Sequence, residues 1–410
     1  AFLSAIILVR MTSPVWMEGC VSALAGLSAV IFIPDDTAKT GYPQPLMLQS
    51  VMGAPLLAWL ANALFDSGVG RFFLVCHDRY VEAARACLPA EAEVMTTMDS
   101  DPADLLHVFL STAEDAEHTI TVVTGPAVYL PQLAPQAAGR FPRVYGVSRE
   151  ELMQALDEHF SFARFLLDNG SPMNEEQAMY SVASPAELPE IAGLLQRNRL
   201  LALARTGVEI YDASSCYVEP SVRVAPGARL LPGTMLRGKT VIGEEAVIGP
   251  WSVIDDSVIG ARAVVNASQV RESRVGQDAV VGPYASVRGG CELGRSVRAG
   301  SFVELKNARL GENTQVPHLA YLGDTEAGAN CNFGCGVTTA NFDRVQKHET
   351  VVGEGAFIGC NTALIAPLQV GSGAYIGAGS TITEDVPAQA LGIARARQSN
   401  KKEWAAKHKK

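Results

Sequence analysis

A histidine, a tyrosine, an aspartate and an asparagine stand close together in the stretch PHLAYLGDTEAGANCNFGCG, residues 317–336. These residues are His318, Tyr321, Asp324 and Asn332. An imidazole titrates near neutral pH, so His318 can accept a proton from a reacting group. Asp324 follows six residues later and could orient the imidazole. We therefore interpret this stretch as a candidate catalytic site in which a base and its supporting polar groups face a cleft.

The elements that must position this site repeat every six residues. Aliphatic residues spaced six apart form three runs: Val218, Val224, Leu230, Leu236, Ile242, Ile248, Ile254; Val275, Val281, Val287, Leu293; and Val352, Ile358, Leu364, Val370, Ile376, Ile382. A fixed six-residue period is typical of a hexapeptide parallel β-helix, in which three repeats make one turn of a triangular prism. Such repeats resemble left-handed β-helices. The residues that break the period, TTANFDRVQKHET at 338–350, predict a loop on one face.

The N-terminal half follows a different pattern, in which short aliphatic runs alternate with amphipathic ones. We predict buried strands at 28–33, 71–76 and 119–125, and helices at 55–68 and 184–207, with Ser184 as a possible N-cap. Alternating strands and helices indicate a parallel sheet with helices on its faces. The predicted fold is thus an α/β Rossmann-like domain followed by a left-handed parallel β-helix.

Composition excludes several classes of protein. The 410-residue chain carries a net charge of −10, which argues against nucleic acid as the main partner. Eight cysteines are scattered along it, and CNFGC lacks the second pair that a zinc site needs, so we expect reduced thiols in a cytoplasmic protein. No segment predicts a membrane span. Residues 1–27 form a leader of uncertain status: either Met11 or Met17 is the true start, or the segment is cleaved.

Four stretches together resemble the acetyltransferase domain of the GlmU family, the bifunctional enzymes that make UDP-N-acetylglucosamine. They are YASVRGGCELG, VELKNARLGENTQVPHLAYLGDTEAGANCNFGCG, NFDRVQKHETVVGEGAFIGCNTALIAP and ALGIARARQSNKKEW, within residues 283–404. The resemblance implies transfer of acetyl from acetyl-CoA to the amine of glucosamine-1-phosphate, in a homotrimer whose sites lie between subunits. His318 matches the family's base.

The same resemblance assigns further residues to binding. Its implied sugar-phosphate contacts are Arg288, Lys306, Tyr321, Asn332, Asn341 and Lys347. Its implied acetyl-CoA contacts are Cys335, Cys360, Ala378, Arg395 and Lys401, the last two holding the CoA phosphates. Two residues depart from the family pattern: Phe342 replaces a tyrosine and Cys360 replaces a serine. Losing the tyrosine hydroxyl removes one hydrogen bond, worth about 1.5–3 kcal/mol to a charged group.

The N-terminal half resembles the family's nucleotidyltransferase domain, with parts missing. In the loop IPDDTAKTGYPQPL, Asp35 and Thr37 replace glycines, Lys39 replaces an arginine and Gln44 replaces a lysine. Acidic side chains repel a triphosphate, and backbone approach to phosphates needs glycine. Pro126 replaces the aspartate that would hold magnesium. We expect uridylyl transfer to be lost, so that magnesium matters only if that site is active.

These observations divide the chain into a leader (1–27), a degenerate nucleotidyltransferase-like domain (28–205), a β-helix acetyltransferase domain (206–394) and a basic tail (395–410). Three alternatives stay open. One is a fully bifunctional enzyme that also makes UDP-N-acetylglucosamine from UTP. Another is a non-catalytic scaffold or regulatory partner. The third is a hexapeptide acyltransferase that uses another amino sugar, for which Phe342 is the only indication.

Overall fold

The structure is a computed structural model that describes residues 28–97, 102–112, 119–133, 143–157, 162–173 and 178–408. The leader predicted at 1–27 lies outside the described residues. The chain divides into two compact units, Ala1–Asn198 and Arg199–Lys410. Among the described helices, none combines the length and the apolarity needed to cross a lipid bilayer.

The first unit is an α/β domain. Its helices are α1 Thr37–Thr40, α2 Leu56–Asp66, α3 Val81–Arg85, α4 Ala103–Ser111, α5 Arg149–Asp157, α6 Phe162–Asn169 and α7 Leu188–Arg205, the last continuing into the second unit. Its strands are β1 Ser28–Phe32, β2 Ser50–Val51, β3 Ala54–Pro55, β4 Arg71–Val75, β5 Glu93–Thr97, β6 Thr119–Val123, β7 Ala127–Tyr129, β8 Val144–Ser148, β9 Ser171–Met173 and β10 Met179–Ser181. The main sheet has the order β5-β4-β1-β6-β8-β9.

The sheet is parallel only in part. Strand β1 pairs in parallel with β4 and β6, and β4 with β5. The three predicted strands thus pair in parallel as expected, and two further strands, β8 and β9, run antiparallel at one edge. A helix crossing between neighbouring strands keeps them parallel, and within the described residues no helix separates β6 from β8.

Ser184 holds the N-cap position of the turn before α7, but it does not cap that turn through its side chain. Its side chain makes no capping hydrogen bond, and a 3-10 turn, Pro185–Glu187, precedes α7 instead. The backbone N–H of Glu187 donates to the carbonyl of Ser184 at 3.2 Å. Proline fits the first position of a helical turn because it has no N–H to satisfy.

The second unit is a β-helix followed by a short terminal helix, α8 Trp404–Lys407. Its strands are β11 Glu209–Ile210, β12 Tyr217–Val218, β13 Arg223–Val224, β14 Arg229–Leu230, β15 Met235–Arg237, β16 Val241–Ile242, β17 Val247–Ile248, β18 Val253–Asp255, β19 Val258–Ile259, β20 Val264–Val265, β21 Gln269–Arg271, β22 Arg274–Val275, β23 Val280–Val281, β24 Ser286–Arg288, β25 Glu292–Leu293, β26 Arg298–Leu310, β27 Gln315–Ala327, β28 Asn332–Phe333, β29 Thr338–Ala340, β30 Thr350–Val352, β31 Phe357–Ile358, β32 Ala363–Ile365, β33 Leu368–Val370, β34 Tyr375–Ile376, β35 Thr381–Ile382 and β36 Leu391–Gly392.

Each strand of the β-helix lies beside the strand three places further along the chain through most of the prism. Val218 pairs with Leu236, and Leu236 pairs with Ile254, all in parallel register. These side chains are fully buried along the axis of the prism. Burying one such aliphatic side chain stabilises the fold by about 1.5–3 kcal/mol. The six-residue pattern and the predicted fold class are therefore confirmed.

The insertion is shorter than predicted. Thr338–Ala340 and Thr350–Val352 are strands, since they pair with Ala363–Ile365 and with Thr325–Ala327. Only residues 341–349 leave the repeat. The prediction extended too far because Thr338 and Thr350 do not interrupt the backbone pairing, although they interrupt the aliphatic pattern.

Candidate active site

One flat face of the β-helix carries the candidate residues at its two corners. Strands β26 and β27 lie side by side in parallel. The backbone of β27 turns through left-handed conformations at Leu319, with φ 38°, and at Asp324, with φ 47°. His318 thus lies at one corner and Asp324 at the other. His318 is exposed, and its imidazole has no hydrogen-bond or ion-pair partner among the described residues.

Three cations converge near the Asp324 corner. Arg288 and Lys306 are directly paired in register on consecutive turns. The ammonium of Lys347, followed by burial and by Arg288, lowers the pKa of Lys306, while Asp324 acts in the opposite direction. A lowered lysine pKa indicates positive charges held close together. Such a cluster favours a bound anion such as a phosphate.

Arg288 is already paired within the chain. Its guanidinium Nε donates to Oε1 of Glu304 at 3.2 Å, and its Nη2 bonds to the same oxygen. Glu304 lies on β26, two residues before Lys306. This ion pair fixes the guanidinium beside Lys306, and the sequence reading missed Glu304.

Asp324 does not contact His318. Its two carboxylate oxygens accept hydrogen bonds from Nδ2 of Asn307, at 2.7 Å, and from Nδ2 of Asn341. Asn341 is buried, with 8% of its surface exposed. The hypothesis that Asp324 orients His318 is therefore wrong, because the two lie at opposite corners of the face. Asp324 instead ties together three successive turns.

Tyr321 and Asn341 lie over Gly323, which is paired in register with Lys306. A Cβ on Gly323 would lie 2.4 Å from the Tyr321 hydroxyl oxygen and 2.8 Å from Asn341 Nδ2. Beneath them, Thr339 occupies a core position, and its hydroxyl oxygen accepts the N–H of Gly323 at 2.8 Å. The missing side chain of Gly323 therefore leaves the room that brings these polar groups together.

The insertion presents Lys347 through contacts of its own. Phe342 and Lys347 form an antiparallel bridge. The carboxylate of Asp343 accepts the backbone N–H groups of Val345 and Gln346, at 2.7 and 2.8 Å, and contacts the His348 ring at 2.7 Å. The Gln346 N–H, His348 and the Val345 N–H hold the pKa of Asp343 well below its usual range. Phe342 itself is exposed.

A ladder of four residues runs along the His318 corner. The flanking strands pair at a constant offset, which sets His318 opposite Cys335, Cys335 opposite Cys360, and Cys360 opposite Ala378. Consecutive rungs of a β-ladder are about 4.8 Å apart. Backbone hydrogen bonds of 2.7 Å join Asn361 to Cys335 and Gly379 to Cys360. Three of the predicted acetyl-CoA residues are thus aligned above His318.

Three further predicted residues lie apart from these groups. Asn332 pairs with Gln315 and Phe357, on the face that precedes the His318 corner, away from the Lys306 cluster. Arg395 follows the last rung, and its Cδ would lie 3.8 Å from a Cβ placed on Gly379. Lys401 is exposed in the tail, and it has no partner in the part of the chain that the structure describes.

The acidic side chains of the loop after β1 stabilise that loop through bonds to neighbouring residues. Asp35 forms an ion pair with Arg79 and accepts the hydroxyl of Thr37 at 2.7 Å. Asp36 accepts the backbone N–H of Leu46 at 2.9 Å. Both carboxylates therefore have structural roles here, and neither presents a donor to a phosphate.

An arginine side chain lies close to the backbone next to Pro126, the residue that replaces the magnesium-binding aspartate. The carbonyl of Pro126 accepts the N–H of Val182 at 2.8 Å. A Cβ on Gly125 would lie 2.6 Å from Nη1 of Arg143. A guanidinium beside this position is the opposite of what a divalent cation needs, since metals bind carboxylate and carbonyl oxygens there.

Comparison with known proteins relates the chain to hexapeptide transferases. Residues 349–384 match the family described as bacterial transferase hexapeptide (six repeats). The bifunctional protein GlmU of Clostridium perfringens (strain SM101 / Type A) is 41% identical over 240 residues, covering 58% of this chain and 53% of that protein. The bifunctional protein GlmU of Brevibacillus brevis is 44% identical over 221 residues, covering 54% of this chain and 48% of that protein.

The chain thus spans about half the length of the curated relatives that it matches. Among solved structures, a UDP-N-acetylglucosamine acyltransferase from Francisella novicida is 19% identical, with a TM-score of 0.24, covering 45% of this chain and 66% of that one.

Proposed function

Because the chain belongs to the GlmU family, we propose that it transfers acetyl from acetyl-CoA to the amine of glucosamine-1-phosphate. This reaction supplies N-acetylglucosamine-1-phosphate for the synthesis of UDP-N-acetylglucosamine, a cell-wall precursor. The observation that carries the proposal is a single face with two distinct corners. One corner holds an imidazole that has no partner in the described part of the chain, and cations converge at the other. An amino sugar phosphate has both of the matching groups, an amine and an anion.

The chemistry assigned to His318 is general base catalysis. A ring nitrogen accepts the proton of the sugar ammonium, since only the neutral amine attacks a thioester. The amine nitrogen then bonds to the acetyl carbon, and the tetrahedral intermediate collapses with CoA thiolate as the leaving group. The nitrogen loses its second proton as the amide forms, and the thiolate takes up that proton. The proton first accepted by His318 passes to solvent, and no covalent enzyme intermediate forms. Arg288, Lys306 and Lys347 bind the phosphate, while Tyr321, Asn332 and Asn341 contact the sugar or organise the site.

Acetyl-CoA is proposed to lie along the corner ladder. Ala378 offers its backbone to the pantetheine arm, and Cys335 and Cys360 lie near the acyl end, one and two rungs above His318. Arg395 and Lys401 hold the CoA phosphates. A small side chain at Ala378 leaves the corner open for the extended arm, which supports this orientation.

The assembly is proposed to be a homotrimer in the cytoplasm. In this arrangement the site is completed by a neighbouring subunit, as the family resemblance implies. Mass measurement in solution should give about three times the chain mass of 43.5 kDa. A monomer that retains full activity would contradict the shared site.

Uridylyl transfer is proposed to be absent. Asp35 and Asp36 bring negative charge to the loop where a triphosphate would bind, and Arg143 lies beside Gly125 and Pro126 in place of a magnesium ligand. The purified protein, given UTP, magnesium and N-acetylglucosamine-1-phosphate, should release no pyrophosphate. Release would favour the fully bifunctional alternative and would make magnesium a cofactor.

The direct test of acetyl transfer is the release of free CoA thiol from acetyl-CoA by the purified full chain. Release should depend on glucosamine-1-phosphate and should be much weaker with glucosamine, which lacks the phosphate. Equal release with both sugars would remove the cation cluster from the proposal. No release with either would favour the non-catalytic scaffold.

A further inference from the structure

Two thiols at the His318 corner differ from the other cysteines that the structure describes. Cys76, Cys87, Cys216, Cys291 and Cys331 are buried. Burial raises the pKa of each of these thiols, that of Cys87 to about 12. Cys335 is half-buried and Cys360 is exposed. A reactive thiolate needs both access and ionisation, so among the described cysteines oxidation should be confined to these two residues.

The two accessible thiols are also neighbours. Cys335 and Cys360 lie opposite each other on consecutive rungs, with the N–H of Asn361 bonded to the carbonyl of Cys335 at 2.7 Å. The rung spacing of about 4.8 Å falls within the Cα–Cα range that a disulfide accepts. Neither thiol has a hydrogen-bond partner among the described residues, so both side chains are free to rotate.

The position of Cys360 supports pairing with the turn below. Its Sγ lies 2.9 Å from the place where a Cβ on Gly334 would be. The backbone N and Cα of Cys360 would lie 2.6 and 2.9 Å from the same Cβ, so the turn that carries Cys335 approaches the whole of Cys360, and Gly334 leaves the space for this approach. By contrast, the buried Cys331 is held by the carbonyl of Gly353 at 3.1 Å.

We propose that Cys335 and Cys360 form a peroxide-sensitive dithiol, whose oxidation to a disulfide closes the corner where acetyl-CoA is proposed to bind. Cys360 thiolate attacks a peroxide oxygen, giving a sulfenic acid and a hydroxide, which takes up the proton that the thiol had lost and leaves as water. The Cys335 thiol then attacks the Cys360 sulfur, forming the S–S bond and releasing a second water. Two thiols and one hydrogen peroxide thus give one disulfide and two waters, and a dithiol reductant reverses the change.

The effect on activity rests on the proposed function, whereas formation of the disulfide does not. A disulfide would fix both sulfur atoms between the strands that carry Cys335 and Cys360. The two thiol side chains could then no longer adjust to acetyl-CoA next to His318. We expect the oxidised protein to lose at least about tenfold of its CoA release, because a small displacement of the thioester from the attacking amine is costly.

The test uses the purified full chain treated with hydrogen peroxide, blocked with N-ethylmaleimide and digested for mass spectrometry. We expect a peptide pair linked through Cys335 and Cys360, lighter by two hydrogens, which disappears on treatment with dithiothreitol. Cys335→Ser and Cys360→Ser variants should lack the linked pair. Their CoA release should be compared before and after peroxide with their own untreated samples, and Cys335→Ser should lose less than wild type.

Peroxide-treated wild type in which both cysteines carry N-ethylmaleimide would overturn the proposal. So would separate oxidation of each cysteine to a sulfinic acid without linkage. If the untreated protein releases no CoA, the proposed acetyltransferase function is wrong. The peptide map still shows whether Cys335 and Cys360 form a disulfide. A linked pair in a fully active oxidised enzyme would overturn the claim that the disulfide closes the site.

Discussion

The amide of Asn341 donates a hydrogen bond to the carboxylate of Asp324, one turn below it in the β-helix. Asn307 donates to the other carboxylate oxygen from the turn beneath. Asp324 therefore links three turns at the corner where Arg288 and Lys306 lie. The acidic group next to the cation cluster is a structural anchor of the site, and His318 is left without an internal partner among the described residues.

Removing this anchor should destabilise the β-helix. In Asp324→Ala the buried Asn341 amide loses its acceptor, so the free energy of unfolding should fall by about 1–3 kcal/mol. A matched control is Asn313→Ala, because Asn313 donates to Asn330 at 3.3 Å at an exposed corner. Both substituted residues have a left-handed backbone, with φ of 47° and 59°, so the strain of placing alanine there is common to the two variants. The control should therefore cost about 1–3 kcal/mol less than Asp324→Ala. Equal losses in urea unfolding would show that Asp324 is only another corner residue.

The cation cluster should control affinity for the sugar phosphate. Lys306→Met removes one charge-assisted hydrogen bond, so KM for glucosamine-1-phosphate should rise roughly 10–100-fold, equivalent to about 1.5–3 kcal/mol. Arg309→Met on the same strand is the matched control, since Arg309 is exposed at another position of the prism. Steady-state kinetics should show no change in the control. A normal KM in Lys306→Met would place the phosphate elsewhere.

The insertion should lose its order in acid. Since hydrogen bonds depress the pKa of Asp343 in the folded chain, the stability they add is present above the usual carboxyl value of 3.8. It is lost as the pH falls through that value toward the folded pKa. Hydrogen exchange of residues 343–348 should therefore speed up below about pH 4, relative to the neighbouring strands, once intrinsic rates are corrected.

Asp343→Ala should produce the same loosening at neutral pH. Because Lys347 is then poorly positioned, KM for the sugar phosphate should rise several-fold while kcat changes less. Asp343→Glu offers the same charge on a longer stem and should recover part of the affinity. A rise in KM that leaves amide exchange in the insertion unchanged would argue against a positioning role.

The sequence predicts the core of the β-helix well because one physical rule governs it. A buried aliphatic side chain every six residues produces both the period and the prism, as Leu236 and Ile254 illustrate. The rule fails where polar contacts take over. Thr339 holds a core position next to the site and bonds to Gly323, and no periodic pattern predicts that bond.

Contacts between turns are the other part that sequence spacing could not supply. The spacing of six residues between His318 and Asp324 suggested that they form a pair. In the structure they lie at the two opposite corners of one face. Asp324 instead contacts Asn307 and Asn341, each seventeen residues away. The number of residues in one turn would have revealed these partners, since residues one turn apart lie side by side on neighbouring strands.

The central claim is that His318 serves as the base for acetyl transfer to an amino sugar phosphate. It is tested most directly by incubating the protein with isotope-labelled acetyl-CoA and glucosamine-1-phosphate, and measuring labelled N-acetylglucosamine-1-phosphate by mass spectrometry. Wild type and His408→Ala, an exposed histidine directly after α8, should form the product at equal rates. His318→Ala should be slower by about 10²–10⁴-fold with unchanged mass in solution. Product formation by His318→Ala at the wild-type rate would contradict the assignment.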